Sequence, residues 1–599
     1  MLRELVQQGK LPPVEERLPE NPVVVPVVEE IGQYGGTWNR AFLGLSDLAG
    51  VTRITYNPPL RRNIDGSEVL PNVFASWEVA DEGRVFTFHL RKGMRWSDGA
   101  AYTADDILFW YEDIILNEEL TPVIPSWFTI EGVPGILSKV DDYTVRVEFA
   151  SPYGLFPQML TQPNTIQMVS RPKHYLSQFH PRYAHEEELM QATRAAGLEA
   201  WYQLFNLKAD PLKNPDEPTI NAWKLISDPA KPPYIMERNP YYWKVDPEGN
   251  QLPYIDRVVQ HYADNAEVIN LMAVSGDIDM QLRHIQFLNY PLLMENSERS
   301  GYRVLMWPRG IGANPYIAFN LNYPDDPILR DIFLNEKFRQ AASLAINRDE
   351  INELMFFGLG EPRQATVVAE SVYYKPEFAR AYADYNPDEA NRLLDSIGLD
   401  KRDAQGYRLR PDGKRLQVLI EIPEGGWGPW IDIAELVKDY WEAVGISTDF
   451  KVLERSYWFT RADAGITQVT FWTMDYQLTP LVNPDKLLPR GDRREIAHDW
   501  NLWYDSGGTR GVKPTGVYLK AFELYDQAKS TPDEAEQIRL TQEILQLQSE
   551  YLWFIGTVGS DPALVVVKDY FRNVPEVAPE DYLLGSPGNT YPEQYFIKR

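Results

Sequence analysis

Phe86-Thr87-Phe88-His89-Leu90-Arg91-Lys92-Gly93-Met94-Arg95-Trp96-Ser97-Asp98-Gly99, followed by Tyr102-Thr103-Ala104-Asp105-Asp106-Ile107, sets the pattern for this chain. Arg84–Leu90 alternates, with Phe86, Phe88 and Leu90 on one side, the signature of a half-buried antiparallel strand. Tyr143–Phe149 repeats it, with Tyr143, Val145, Val147 and Phe149 opposed to Thr144, Arg146 and Glu148. Between them Thr103-Ala104-Asp105-Asp106 reads as a capping box, and Ile107, Trp110, Tyr111 and Ile114 follow at helical spacing. Strands and helices mix without a strict βαβ beat, which predicts an α/β fold whose lobes carry insertions.

Further helices announce themselves downstream. Asn386-Pro387-Asp388-Glu389 supplies a cap, a Pro at the first helical position and acids at the positive end, ahead of Ala390, Leu393, Leu394 and Ile397. Thr531-Pro532-Asp533-Glu534 offers the same recipe. Phe338, Ala341, Ala342 and Ala345 form an apolar stripe, as do Ile433, Leu436, Val437, Tyr440, Trp441 and Val444. The first 30 residues, rich in Pro, Val and Glu, read as an extended arm. Residues 208–218 and 239–253 read as surface connections, and Glu424-Gly425-Gly426-Trp427-Gly428-Pro429-Trp430 leads into a helix, where unpaired N–H groups can face a ligand.

The 599 residues carry 59 Lys and Arg against 86 Asp and Glu, a net charge of −27, which disfavours nucleic acid and anionic membranes. With no cysteine there is no disulfide frame, thiolate metal site or thiol nucleophile. Aromatic residues make up 13% of the chain, with 17 Trp, 34 Tyr and 24 Phe. That excess serves a large core or a cleft walled with rings.

No arrangement argues for catalysis, so no catalytic residue, metal or cofactor is expected. Asp105-Asp106 and Asp141-Asp142 sit where a helix start and a hairpin turn need acids. His174, His180 and His185 lack the spacing of a zinc site. There is no nucleophile elbow, phosphate loop or dinucleotide fingerprint. A glycosidase needs only two carboxylates, so a secreted glycoside hydrolase stays open as the rival class.

The organisation along the chain resembles the family 5 (cluster C) extracellular solute-binding proteins of ABC importers, the oligopeptide, dipeptide, nickel and oligosaccharide receptors. Pro71–Val79 and the opening stretch carry the resemblance, with Arg238-Asn239-Pro240-Tyr241-Tyr242-Trp243 and Ser275-Gly276-Asp277-Ile278-Asp279. Phe338–Ile351 continues it and Leu393–Leu399 and Ala443-Val444-Gly445-Ile446 match two further helix ends, in a resemblance that runs over almost the whole length. The resemblance implies a periplasmic-binding-protein-like α/β fold: two lobes with hinge strands and an extra subdomain inserted in lobe one. The expected parts are 1–56, 168–314 and 553–599 for lobe one, 57–167 for the inserted subdomain and 315–552 for lobe two. It also implies a periplasmic or extracellular location, possible lipid anchoring and an ABC permease as partner. Met1-Leu2-Arg3-Glu4-Leu5 is not a secretory signal, so the family favours a trimmed mature chain, expected to be monomeric.

For the solute, Phe471-Trp472-Thr473-Met474-Asp475-Tyr476 is similar to the family's W-x-x-D-Y segment, whose aspartate pairs with a peptide's amino terminus in the peptide receptors. Some of those receptors carry a basic residue three before the Trp for the peptide carboxylate; here it is Val469. A carboxylate also accepts hydrogen bonds from vicinal hydroxyls, and flat rings suit the apolar face of a pyranose. Trp427, Trp430, Trp472 and Trp503, with Asp475, are the candidate ligand-binding residues of lobe two; Ser46 and Asp47 are the candidates of lobe one. Gly32–Trp38 and Val245–Asp256 resemble the oligosaccharide-binding branch. The expected function is therefore capture of an oligosaccharide by lobe closure, with an oligopeptide as the alternative.

Overall fold

The structure, a computed structural model, describes residues 2–425 and 428–599, with the backbone alone for Ser46. The chain forms two compact units, Met1–Trp307 with Ala563–Arg599, and Pro308–Pro562.

The opening stretch folds as its alternation dictates. Phe74–Ala80, Val85–Leu90, Thr144–Glu148 and Ile136–Asp141 form an antiparallel sheet in that order, with Val145 opposite Phe88 and Val147 opposite Phe86. The inward rings of Phe86, Phe88, Phe149 and Phe156 pack together, Phe149 and Phe156 with centroids 4.8 Å apart. Thr103 caps Ala104–Phe109, its hydroxyl accepting from the Asp105 N–H while Asp106 returns a bond to the Thr103 N–H. The helix then loosens into a π-helical turn, Trp110–Ile115.

A second sheet of the first unit orders Trp223–Leu225, Tyr234–Arg238, Arg257–Tyr262 and Thr37–Phe42. A third places Ala563–Lys568 between Met280–Gln281 and Tyr302–Trp307, all antiparallel.

The second unit is built on a five-stranded sheet in the order Ser447–Leu453, Gln417–Pro423, Val469–Trp472, Tyr316–Phe319, Ile555–Gly556. The first three strands are parallel; the last two run antiparallel to their neighbours. Helix Trp430–Ala443 joins the first parallel pair, burying Trp430, Ile433, Ala434, Val437 and Trp441. Trp441 stacks on Phe319 at 5.5 Å and donates its N–H to the Ala342 carbonyl. Such ring pairs add about 0.5–1.5 kcal/mol beyond burial.

Four local readings change. Helix Glu534–Tyr551 is capped by Asp533, which accepts from the Ala535 and Glu536 N–H groups, so Thr531-Pro532 lies outside it. The amino-terminal arm starts as a helix, Leu2–Gln7, before Val23–Val24 pairs with Lys244–Val245. Residues 239–253 are mostly interior, because Tyr242 and Trp243 anchor them and Trp243 donates to the Ile220 carbonyl. Residues 208–218 likewise bury Asn214 and Glu217.

Candidate functional site

In an open α/β sheet, ligands meet the carboxyl ends of strands where the strand order reverses. In the second unit, Gln417–Pro423 leads through Trp430–Ala443 to Ser447–Leu453 on one side. The chain then returns through helix Arg455–Asp463 to Val469–Trp472 on the other side. Right-handed crossovers put those helices on opposite faces, so the reversal lies between Gln417–Pro423 and Val469–Trp472. Two segments emerge there: the one entering Trp430, and Thr473–Tyr476. Both carry residues expected from sequence.

Trp430 opens its helix and donates its indole N–H to Asn314 Oδ1 at 2.8 Å. Its ring lies 6.1 Å from that of Trp472, which stacks on Trp458 at 5.0 Å and 12°. Trp458 in turn donates to the Glu421 carbonyl of strand Gln417–Pro423. Trp430 and Trp472 are 2% and 5% exposed, so these rings brace the strand end and leave little open face. Arg455 lies 5.9 Å from the Trp472 centroid.

Asp475 follows on a segment bonded along residues 310–313: Met474 N–H to the Ala313 carbonyl, Gly312 N–H to the Met474 carbonyl. Gly312 is required, since a Cβ there would stand 1.9 Å from the Thr366 carbonyl oxygen. The Asp475 side chain keeps 25% exposure, but its Oδ1 is buried, 3.0 Å from Lys486 Nζ. Lys486 is wholly buried, also pairs with Asp492, and lies near the Tyr316 and Tyr476 rings. Burial alone would lower its pKa; Asp475 and Asp492 overrule this and hold the ammonium charged. Burial pushes Asp475 up, against the pull of Lys486. Beside them Glu495 accepts from the Tyr316 hydroxyl at 3.0 Å and is pushed up to about 7 by burial, with Asp492 adding to the shift.

The other expected residues stand apart. Trp503 is half-buried on helix His498–Asp505, with Lys513 Nζ 5.6 Å from its ring. Asp47, in the first unit, is enclosed: Arg283 Nε and His284 Nε2 each lie 2.7 Å from its carboxylate. Burial would raise its pKa, but His284 and Arg283 bring it down to about 2. Trp427 lies outside the described residues, as does the side chain of Ser46. Lys486, Asp492 and Glu495 escaped the sequence reading, because no local pattern ties an interior lysine to an acid eleven residues earlier.

The acid pairs weighed for general acid–base chemistry have structural employment: Asp106 caps its helix, while Lys139 bridges Asp105 and Asp142 at 3.0 and 2.7 Å. Among the described residues no group of three or more His, Asp or Glu is placed to hold a metal ion, and no helix is long and apolar enough to cross a membrane.

The family model of bacterial extracellular solute-binding proteins, family 5 (middle), matches residues 68–482. The periplasmic alpha-galactoside-binding protein of Rhizobium meliloti (strain 1021) is 26% identical over 615 residues, 96% of this chain and 84% of its own. A solved oligopeptide-binding protein OppA superposes with a TM-score of 0.83 at 44% identity, over 100% of this chain and 96% of that one. The periplasmic binding protein MelB of Agrobacterium fabrum C58, solved with stachyose, has a TM-score of 0.74 at 24% identity and covers 99% and 90%; at that identity the likeness is one of fold. The α/β fold expected from sequence is thus that of the periplasmic binding proteins. The chain belongs to the bacterial extracellular solute-binding proteins, family 5.

Proposed function

We propose that this protein is the solute receptor of an ABC importer, that its solute is an oligosaccharide, and that it binds without any chemical step. Asp475 carries the reading. It stands where the strand order of the second unit reverses, braced by the Trp430, Trp472 and Trp458 rings, one oxygen 3.0 Å from the buried Lys486 ammonium and the side chain partly open to solvent. A charge-compensated carboxylate accepts hydroxyl hydrogen bonds and has less to offer a cation. The alpha-galactoside-binding relative, aligned along nearly the whole chain, supports the same solute class. Micromolar affinity needs about −8 kcal/mol in total, within reach of a handful of such bonds and ring contacts.

The second reading is an oligopeptide, favoured by the 44% identity to an oligopeptide-binding protein. A thermal-shift screen with stachyose, other galactosyl and gluco-oligosaccharides, and a peptide mixture separates the two. Saturable stabilisation by an oligosaccharide is expected. Stabilisation by peptides alone retires the sugar reading, and release of shorter sugars on incubation retires the receptor reading in favour of a glycosidase.

A further inference from the structure

Lys486 ends a short 3-10 turn, Pro484–Lys486, and Gln548 Nε2 donates to its backbone carbonyl at 3.2 Å. Its ammonium is surrounded by recognition elements suited to a cation. Asp475 Oδ1 is 3.0 Å away, Asp492 accepts a direct hydrogen bond, and the Tyr476 and Tyr316 centroids lie at 5.4 and 5.8 Å. Two carboxylates and two ring faces make an ammonium cage. Lys486 has no exposed side-chain surface, whereas Asp475 and Asp492 keep 25% and 22%. The cage therefore reaches solvent through its acids and is filled from the protein side. Stability alone is a weak reason for such an arrangement, because desolvating an ion pair cancels most of its attraction.

We propose that Lys486 is a specificity determinant: its ammonium fills the cage of Asp475, Asp492, Tyr316 and Tyr476 and so denies it to solutes bearing a free primary amine. This rests on the solute-facing role proposed above for Asp475. A polyhydroxyl solute needs no such cage. It meets Asp475 as a hydrogen-bond acceptor whose charge the lysine already offsets.

The test empties the cage and offers it the missing group. Lys486→Ala is expected to melt about 5 °C or more below the wild type, the scale of losing a buried charge partner. n-Butylammonium chloride should restore part of that loss saturably. Sodium chloride at equal ionic strength and tetramethylammonium, which has no N–H, should not, and the wild type should respond to none of them. By calorimetric titration, K486A should bind a mixture of short peptides at least tenfold more tightly than the wild type does. No rescue by n-butylammonium overturns the proposal, as does equal peptide affinity in both proteins. If K486A is recovered unfolded, it is refolded with and without n-butylammonium; recovery only with the amine supports the cage, and failure in both overturns it. A wild type that ignores stachyose while K486A gains peptide binding upholds the role of Lys486 and removes the oligosaccharide reading alone.

Discussion

Lys244 and Glu593 form an ion pair of 2.9 Å across 349 residues of sequence, and neither side chain keeps more than 5% exposure. Tyr242 donates its hydroxyl to the same carboxylate at 3.0 Å. Burial lowers the Lys244 pKa to about 8, while Lys244 and Arg61 overcome the effect of burial on Glu593 and hold it low. Glu593→Ala leaves a buried cation without its partner and should cost about 3–5 kcal/mol. Lys244→Met with Glu593→Gln removes both charges and should cost clearly less. Urea unfolding of the three proteins checks this, and equal losses would mean that the charge pairing itself contributes nothing.

Trp472 stacks on Trp458 and touches the Trp430 ring, so its truncation opens a cavity at the strand end that presents Asp475. Trp472→Ala should lose about 3–5 kcal/mol of stability and weaken solute binding together. Trp472→Phe should recover most of the stability. Full stability in the alanine variant would show that the ring is not part of the core.

Glu217 is 3% exposed and neither carboxyl oxygen has a hydrogen-bond partner among the described residues, so burial pushes its pKa up to about 8. The native state therefore holds a proton that the unfolded chain releases near pH 4.5. Its stabilising contribution is full below that pH and is lost as pH rises through about 8. Glu217→Gln should be more stable than the wild type above pH 8, by a few kcal/mol in the limit, with the difference shrinking toward pH 5. Melting curves from pH 5 to 9 read this directly; parallel profiles would refute it.

Asp47 behaves in the opposite sense. With its pKa lowered to about 2 by His284 and Arg283, its contribution is present above the unfolded value of about 3.8 and disappears as pH falls through about 2. Asp47→Asn should cost about 2 kcal/mol at pH 6 and almost nothing near pH 2. Solute titration of the same variant tests Asp47 as a ligand: unchanged affinity removes it from the candidate site.

What the sequence made legible was local. The Thr103 and Asn386 caps and the two alternating strands follow from spacing along a few residues, and they formed as read. So did the stripe beginning at Ile433. The Thr531 start failed by two residues because Asp533 is the better-placed acceptor. The aromatic excess is largely interior: among the described residues, ten of 16 tryptophans keep 2% exposure or less. Composition could not separate such rings from a binding wall. At the candidate site Asp475 was legible from its motif, whereas its partner Lys486 was not. Periodicity records which face of an element is buried; it carries no information on which charges meet once distant segments pack.

The wiring of the sheets has a consequence for synthesis. Pro308–Pro562 is one continuous piece, while the first unit waits for Ala563–Lys568, the central strand between Met280–Gln281 and Tyr302–Trp307. As the chain leaves the ribosome, the later-encoded unit can therefore finish first, and the earlier one stays open at that sheet until almost the last residues emerge. A released chain truncated after Pro562 should resist protease across 308–562 and be cut within Met280–Trp307. The carboxyl terminus thus acts as the closing stitch of the half that was made first.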